Sequence, residues 1–149
     1  MAHAKTIAID FDGVIHKYSK GWQDGSIYDK EVDVVFEAIQ DIMGRGECVF
    51  IFSTRSPRQI KRWLKEKIMQ SEWHAIGYGD PVDYTYPKFG YTCQVIPFWK
   101  KFWNKPKVIG ITRRKLPAHV YIDDRAIVFK GDWIQTLEEI KNFKPYNYK

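Results

Sequence analysis

Asp10 and Asp12 lie two residues apart at the end of an apolar run, Thr6-Ile7-Ala8-Ile9. Such a run reads as a buried strand. Strand side chains repeat with period two, so both carboxylates start on one side of the chain. Like charges that close repel unless a cation or a shared proton offsets them. Paired acids followed by Gly13 put charge where open α/β sheets bind ligands, at the carboxyl edge. The same residues also fit a strand followed by an Asp-Gly turn.

Two further runs end the same way. Cys48-Val49-Phe50-Ile51-Phe52 leads into Ser53-Thr54-Arg55, and Ala118-His119-Val120-Tyr121-Ile122 leads into Asp123-Asp124-Arg125. One such ending could be a turn. Three that converge on one sheet edge suggest a site.

In this order, DFDGV, then FSTR, then Lys115 ahead of YIDDRA, the chain resembles the haloacid dehalogenase superfamily of aspartate-nucleophile phosphatases. The motifs run from residue 10 to 124 and so cover most of the chain. The stretch Thr112–Asp124 also resembles small stand-alone members common in phages and bacteria. The resemblance implies a doubly wound core with the site at the strand ends. It implies that Asp10 is the nucleophile and forms an aspartyl-phosphate. Asp12 matches the acid/base that protonates the leaving oxygen and then activates water, with its backbone carbonyl facing the metal. Ser53 matches the residue that hydrogen-bonds the transferring phosphoryl group, and Thr54 rivals it by one position. Lys115 matches the lysine that neutralises charge on nucleophile and phosphoryl. It stands eight residues before Asp123, closer than in many members, so Arg113 and Arg114 compete for that role and Lys105 and Lys107 stay open. Asp124 occupies the position that contacts metal directly, and Asp123 the one that works through water or orients a neighbour. Arg55 suits a substrate phosphate and a carboxylate equally, because its fork fits both.

The chemistry of the ligands agrees. A phosphate monoester dianion repels an attacking carboxylate, and a bound divalent cation offsets that repulsion. Mg²⁺ prefers oxygen ligands, and Asp10, Asp123 and Asp124 supply them. The four histidines, His3, His16, His74 and His119, and the two cysteines show no zinc spacing.

The chain has 149 residues and a net charge of +6, a length that suits one domain, 1–149. The charge is uneven. Between Tyr84 and Ile122 there are eight Lys or Arg and no Asp or Glu, which favours a local anionic partner. No run is apolar and long enough for a membrane span. The first residues carry no signal-peptide pattern and Cys48 opens an apolar strand, so a cytoplasmic protein with reduced thiols is expected.

The expected fold class is α/β, a doubly wound parallel sheet with at most a small insertion or flap. Residues 5–10, 47–52 and 118–123 read as strands, with shorter ones at His74–Tyr78, Thr92–Ile96, Lys107–Ile111 and Ala126–Phe129. Residues 13–29 read as a loop or flap over the site. Helices are expected from Glu31 to Met43, from Pro57 to about Ser71, and from a cap at Asp132 to about Asn142 with Trp133, Leu137 and Ile140 inward. Phe98–Trp103 reads as a short amphipathic helix. The aromatic and basic stretch Pro97–Lys107 fits either a core-facing segment with solvated lysines or a surface that stacks bases and tracks phosphates.

The function expected is a Mg²⁺-dependent phosphomonoester hydrolase, with a nucleotide or a nucleic-acid 3′-phosphate end as the preferred substrate. The alternatives are a non-catalytic phosphate- or nucleic-acid-binding module on the same fold and a small-metabolite phosphatase. The oligomeric state is left open.

Overall fold

The computed structural model describes residues 4–76 and 91–146, with side chains described outside residues 68–76. Its elements are β1 (Thr6–Asp10), α1 (Val35–Gly44), β2 (Cys48–Phe52), α2 (Pro57–Ile76), β3 (Thr92–Val95), β4 (Val108–Thr112), β5 (Val120–Ile122) and α3 (Trp133–Asn142). The fold is α/β, with one five-stranded sheet in the order β3-β4-β2-β1-β5. Every strand pair is parallel. Parallel strands covered on both faces need continuous apolar runs, and this is what β1, β2 and β4 provide.

Alternate residues of these strands feed two cores. On one face, Ile7, Ile9, Val49, Ile51, Ile109 and Ile111 pack under Ile39 and Met43 of α1 and Ile60, Trp63 and Leu64 of α2. On the other face, Ala8, Cys48 and Phe50 pack under Ile96, Trp103 and Leu116, which come from irregular segments. Each fully buried Ile, Leu or Phe contributes roughly 1.5–3 kcal/mol of transfer free energy, so both cores matter to stability. Cys48 and Cys93 are free, buried thiols.

Several element boundaries differ from the sequence reading. α1 starts at Val35 and not Glu31, because the chain before it is tied to the loop after β1. Val32 donates its N–H to Ile15 at 2.7 Å, and Val34 takes a left-handed φ of 56°. α2 runs past Ser71 to Ile76, since no glycine or proline interrupts it before Gly77. The expected strand at His74–Tyr78 therefore begins inside α2, and residues 77–78 lie outside the described residues, as does Lys88. Phe98–Trp103 forms turns and no helix. It is pinned by Trp103, which is buried and donates its indole N–H to the Val108 carbonyl at 3.1 Å. Ala126–Phe129 is not a strand. The chain turns just ahead of it, where Arg125 N–H bonds to the Asp123 carboxylate at 2.9 Å. Asp132 does cap α3, accepting from the N–H groups of Ile134 and Gln135. Trp133, Leu137 and Ile140, however, face solvent and not the core. Among the described residues, no helix is long and apolar enough to cross a membrane.

Gly110 makes the second core possible. A Cβ there would come within 2.7 Å of both Ile96 Cδ1 and Trp103 Cε2. Gly110→Ala should therefore destabilise the fold by about 1–3 kcal/mol through overpacking, measured by urea unfolding. Loss of less than about 0.5 kcal/mol would mean that Trp103 shifts freely.

Candidate functional site

Strand register assembles the site. Asp10 pairs with Phe52, and Phe52 with Thr112. Ile9 pairs with Ile122, which sets Asp123 beside Asp10 across the next position. The ends of β1, β2, β4 and β5 thus stop at one level and surround a cleft of about 370 Å³. Asp10, Asp12, Tyr18, Ser53, Thr54, Arg113, Lys115, Asp123 and Asp124 all line it.

Asp10, Asp123 and Asp124 each offer a carboxylate oxygen within 4.8 Å of the others. Asp10 Oδ1 accepts one hydrogen bond, from Phe11 N–H at 2.8 Å. Both carboxylate oxygens of Asp124 are buried and, apart from a proton that Asp10 can share with them, have no hydrogen-bond partner. Buried acceptors of that kind are costly unless something positive meets them. Burial, reinforced by the charge of Asp123, pushes Asp10 up to about 8. Burial also raises Asp124. Three crowded oxygen ligands, those of Asp124 buried without a donor from outside the cluster, suit a hard divalent cation. They offer no nitrogen or sulfur that would favour a softer metal.

Asp12 lives in a different environment. Its carboxylate is not part of that cluster. Both of its oxygens accept from Arg55 Nε, at 2.9 and 2.8 Å, and Oδ1 also meets His16 Nδ1 at 2.9 Å. Burial works against ionisation of Asp12, but the hydrogen bonds from His16 and Arg55 outweigh it and hold the carboxyl below its usual range. His16 is fully buried. Its Nε2 accepts the Asp29 N–H at 3.0 Å, so the ring hydrogen sits on Nδ1 and is donated to Asp12. Arg55 is held in turn by the Gly25 carbonyl at 2.6 Å and by the rings of Tyr18 and Trp22 at 5.9 and 5.8 Å. Of the two partners open to Arg55 in the sequence, a carboxylate is the one it meets.

The other candidates separate by position. Ser53 is buried; its N–H reaches the Thr112 carbonyl at 3.1 Å, and its hydroxyl accepts from Arg55 N–H at 3.2 Å. Thr54 is exposed at the rim. Lys115 enters the cleft with its ammonium 4.6 Å from the centre of the Tyr121 ring. Arg113 also enters, and its Nε donates to the Arg55 carbonyl at 3.3 Å. Arg114 turns away to the Pro97 carbonyl at 2.9 Å. Lys105 lies elsewhere, near Gln94 and the Trp103 ring.

Sequence reasoning missed His16, Tyr18 and Tyr146. In the sequence His16 stands out only as a possible zinc ligand without zinc spacing. Its spacing of four from Asp12 has no meaning outside a helix, so no local signal marked it. Tyr18 carries a positive φ of 56° in the cleft wall, which is uncommon for a bulky residue. The Tyr146 hydroxyl donates to the Gly13 carbonyl and returns the chain's end to the site.

No family model matches this chain, and no curated protein matches it. Among solved structures the chain is similar to one described as a conserved protein coded by a locus from Bacteroides thetaiotaomicron. The two are 22% identical, the match covers 94% of this chain and 92% of that one, and the TM-score is 0.40.

The raised Asp10 sets a pH dependence. The folded chain keeps a proton there up to about 8, whereas an ordinary Asp loses it near 3.8. The stability it lends is complete below 3.8 and is lost as pH rises towards 8. A cation binds the deprotonated cluster, so the gain in Tm from Mg²⁺ should grow from pH 4 to 8. Thermal melts in EDTA and in Mg²⁺ across that range measure this. An equal Tm with and without Mg²⁺ at the alkaline end would remove the cation from this cluster.

Proposed function

We propose that this protein is a divalent-metal-dependent phosphomonoester hydrolase that works through an aspartyl-phosphate. The observation that carries this reading is the half-buried cluster of Asp10, Asp123 and Asp124 in a cleft that Lys115 also lines. It is also the chemistry implied by the sequence's resemblance to haloacid dehalogenase-type phosphatases. Asp10, Asp123 and Asp124 would hold Mg²⁺, whose charge would offset the repulsion between a phosphate dianion and an attacking carboxylate.

The chain's own residues divide the remaining work. An Asp10 oxygen bonds to phosphorus as the ester oxygen departs. Lys115 and Arg113 place positive charge on the cleft wall where the phosphoryl oxygens gather. The Ser53 hydroxyl is the neutral donor beside them. Asp12, held ionised, takes a proton from the water that hydrolyses the acyl phosphate. That proton passes to the leaving oxygen in the next turnover. Arg55 and His16 keep the carboxylate aimed for this exchange.

The substrate we favour is a nucleotide or nucleic-acid end carrying a phosphate. Among the described residues the cleft is walled by a loop and no large cap covers it, which leaves room for a bulky chain. Arg114 ties the cleft's basic strand end to Pro97, where the aromatic and basic segment begins. In that segment Phe98, Trp99 and Phe102 are exposed among Lys100, Lys101 and Lys105. Exposed rings between lysines stack bases and follow phosphates.

Two experiments test this. Asp10→Asn should abolish release of phosphate from an aryl phosphate while leaving the circular dichroism unchanged, because an amide is a poor nucleophile. Retention of more than a few per cent of the activity would show that another residue attacks. A wild-type protein that binds Mg²⁺ and phosphate without turnover would instead be a binding module. For the substrate, joint replacement of Lys100, Lys101 and Lys105 by Gln should weaken binding of a 3′-phosphorylated oligonucleotide. The salt dependence should fall by about one unit per lost phosphate contact, with aryl phosphate hydrolysis unchanged. No change on either substrate would favour a small phosphorylated metabolite.

A further inference from the structure

The last strand and the last helix of this chain each lack the cover that their sequences are built for. β5 is an edge strand, paired on one side to β1, and Val120, Tyr121 and Ile122 are all exposed. In α3, Trp133, Leu137 and Ile140 recur at i, i+4 and i+7, the spacing of one helix face, and Ile134 flanks them. Their exposures are 66%, 56%, 54% and 79%. The buried residue of the helix is Thr136, and Glu139 is half-buried and pairs with Lys130 at 3.6 Å. The helix therefore turns a polar side to its own chain and its apolar stripe to water. Among the described residues α3 packs on no strand and no other helix. Val128 and Phe129, just before it, are exposed as well, and the Phe129 ring lies 5.1 Å from that of Trp133.

We infer that a second copy of this chain covers this surface, the α3 stripe of each copy packing on the β5 edge of the other about a twofold axis. Three observations select that occupant. First, the surface is self-complementary: a parallel sheet needs helices over its outer strands, and one chain carries both an uncovered strand and an unused apolar helix. Two copies satisfy both needs at once through an isologous contact. Second, the area is sufficient. Aromatic side chains bury about 150–250 Å² each when fully covered and aliphatic ones somewhat less, and the apolar groups of β5, Val128, Phe129 and α3 keep between 39% and 79% of theirs open, so together they offer on the order of 900 Å². That meets the ~800 Å² per partner of a stable interface. Third, charge permits it. Residues 126–143 carry Lys130 and Lys141 against Asp132, Glu138 and Glu139. That stretch therefore carries no excess positive charge to oppose the approach of a second copy.

Sedimentation velocity on the full chain tests the inference. The wild type should sediment at twice the 17.7 kDa chain mass between about 1 and about 100 µM. Leu137→Glu combined with Ile140→Glu should keep the circular dichroism of the folded chain, because both positions face water within one copy. It should weaken self-association by at least ~100-fold. Trp99→Ala, in the other exposed aromatic segment, should leave the dimer intact. Amide exchange gives a readout that needs no variant: protection at residues 120–122 and 133–142 of the wild type should rise with concentration. A wild type that stays at 17.7 kDa would overturn the inference. So would a dimer that survives the double change, one that Trp99→Ala dissociates, or concentration-independent protection in these segments.

Discussion

Three carboxylates whose oxygens lie within 4.8 Å of one another repel, and the rest of this structure holds them in place. No turn or short peptide would keep Asp10, Asp123 and Asp124 together unaided. The parallel pairing of β1 with β5 does so, by fixing Ile9 against Ile122 and carrying both chains past the sheet edge together. The pairing is itself anchored by the buried runs of β1 and β2, whose cores leave no freedom to slip. In a strand buried on both faces, a slip of one residue would also exchange the two cores, which differ in shape. The crowding at the edge is thus sustained by the packing beneath it.

The same edge separates two acids that stand two residues apart. Asp10 is driven towards the protonated form by burial and Asp123. Asp12 is driven towards the ionised form by Arg55 and His16. Neighbouring carboxyls with opposite shifts are the usual mark of divided chemical roles. The division depends on one residue distant in sequence and one that a loop brings back. Arg55 arrives from the turn after β2, His16 from the loop after β1, and the Asp29 N–H fixes the ring that His16 presents. Loop and cleft wall are therefore one unit: Arg55 also grips Gly25, while Tyr18 and Trp22 lie against its guanidinium.

The two faces of the sheet are finished differently. α1 and α2 close one face with Ile39, Met43, Ile60, Trp63 and Leu64. The other is closed by Trp103 and Leu116, from segments without regular structure. Trp103 lies against Gly110, where no side chain larger than hydrogen would fit without displacing it. With Trp103 turned inward, Phe98, Trp99 and Phe102 are left on the surface. The basic and aromatic segment thus serves as both core and surface, and the sequence reading had treated these as alternatives.

The sequence by itself determined the three strands that carry the site, β1, β2 and β5, and the residues at their ends. Apolar runs ending in Asp10, Ser53 and Asp123-Asp124 carry their meaning locally: in β1 and β2 burial on both faces demands continuous hydrophobicity, and polarity begins only where the sheet stops. The cap at Asp132 was legible for the same reason: it acts within one helical turn. Only the tertiary structure decided which polar groups meet. That Arg55 takes Asp12, that Lys115 and Arg113 enter the cleft while Arg114 leaves it, and that His16 matters at all follow from register and loop path. Neither is encoded in the spacing of any short segment. The stripe of α3 illustrates the limit most directly. Its period announced an apolar face in the sequence, but periodicity says only that a face must be covered. What lies opposite that face is a matter of three-dimensional placement, and among the described residues nothing covers it.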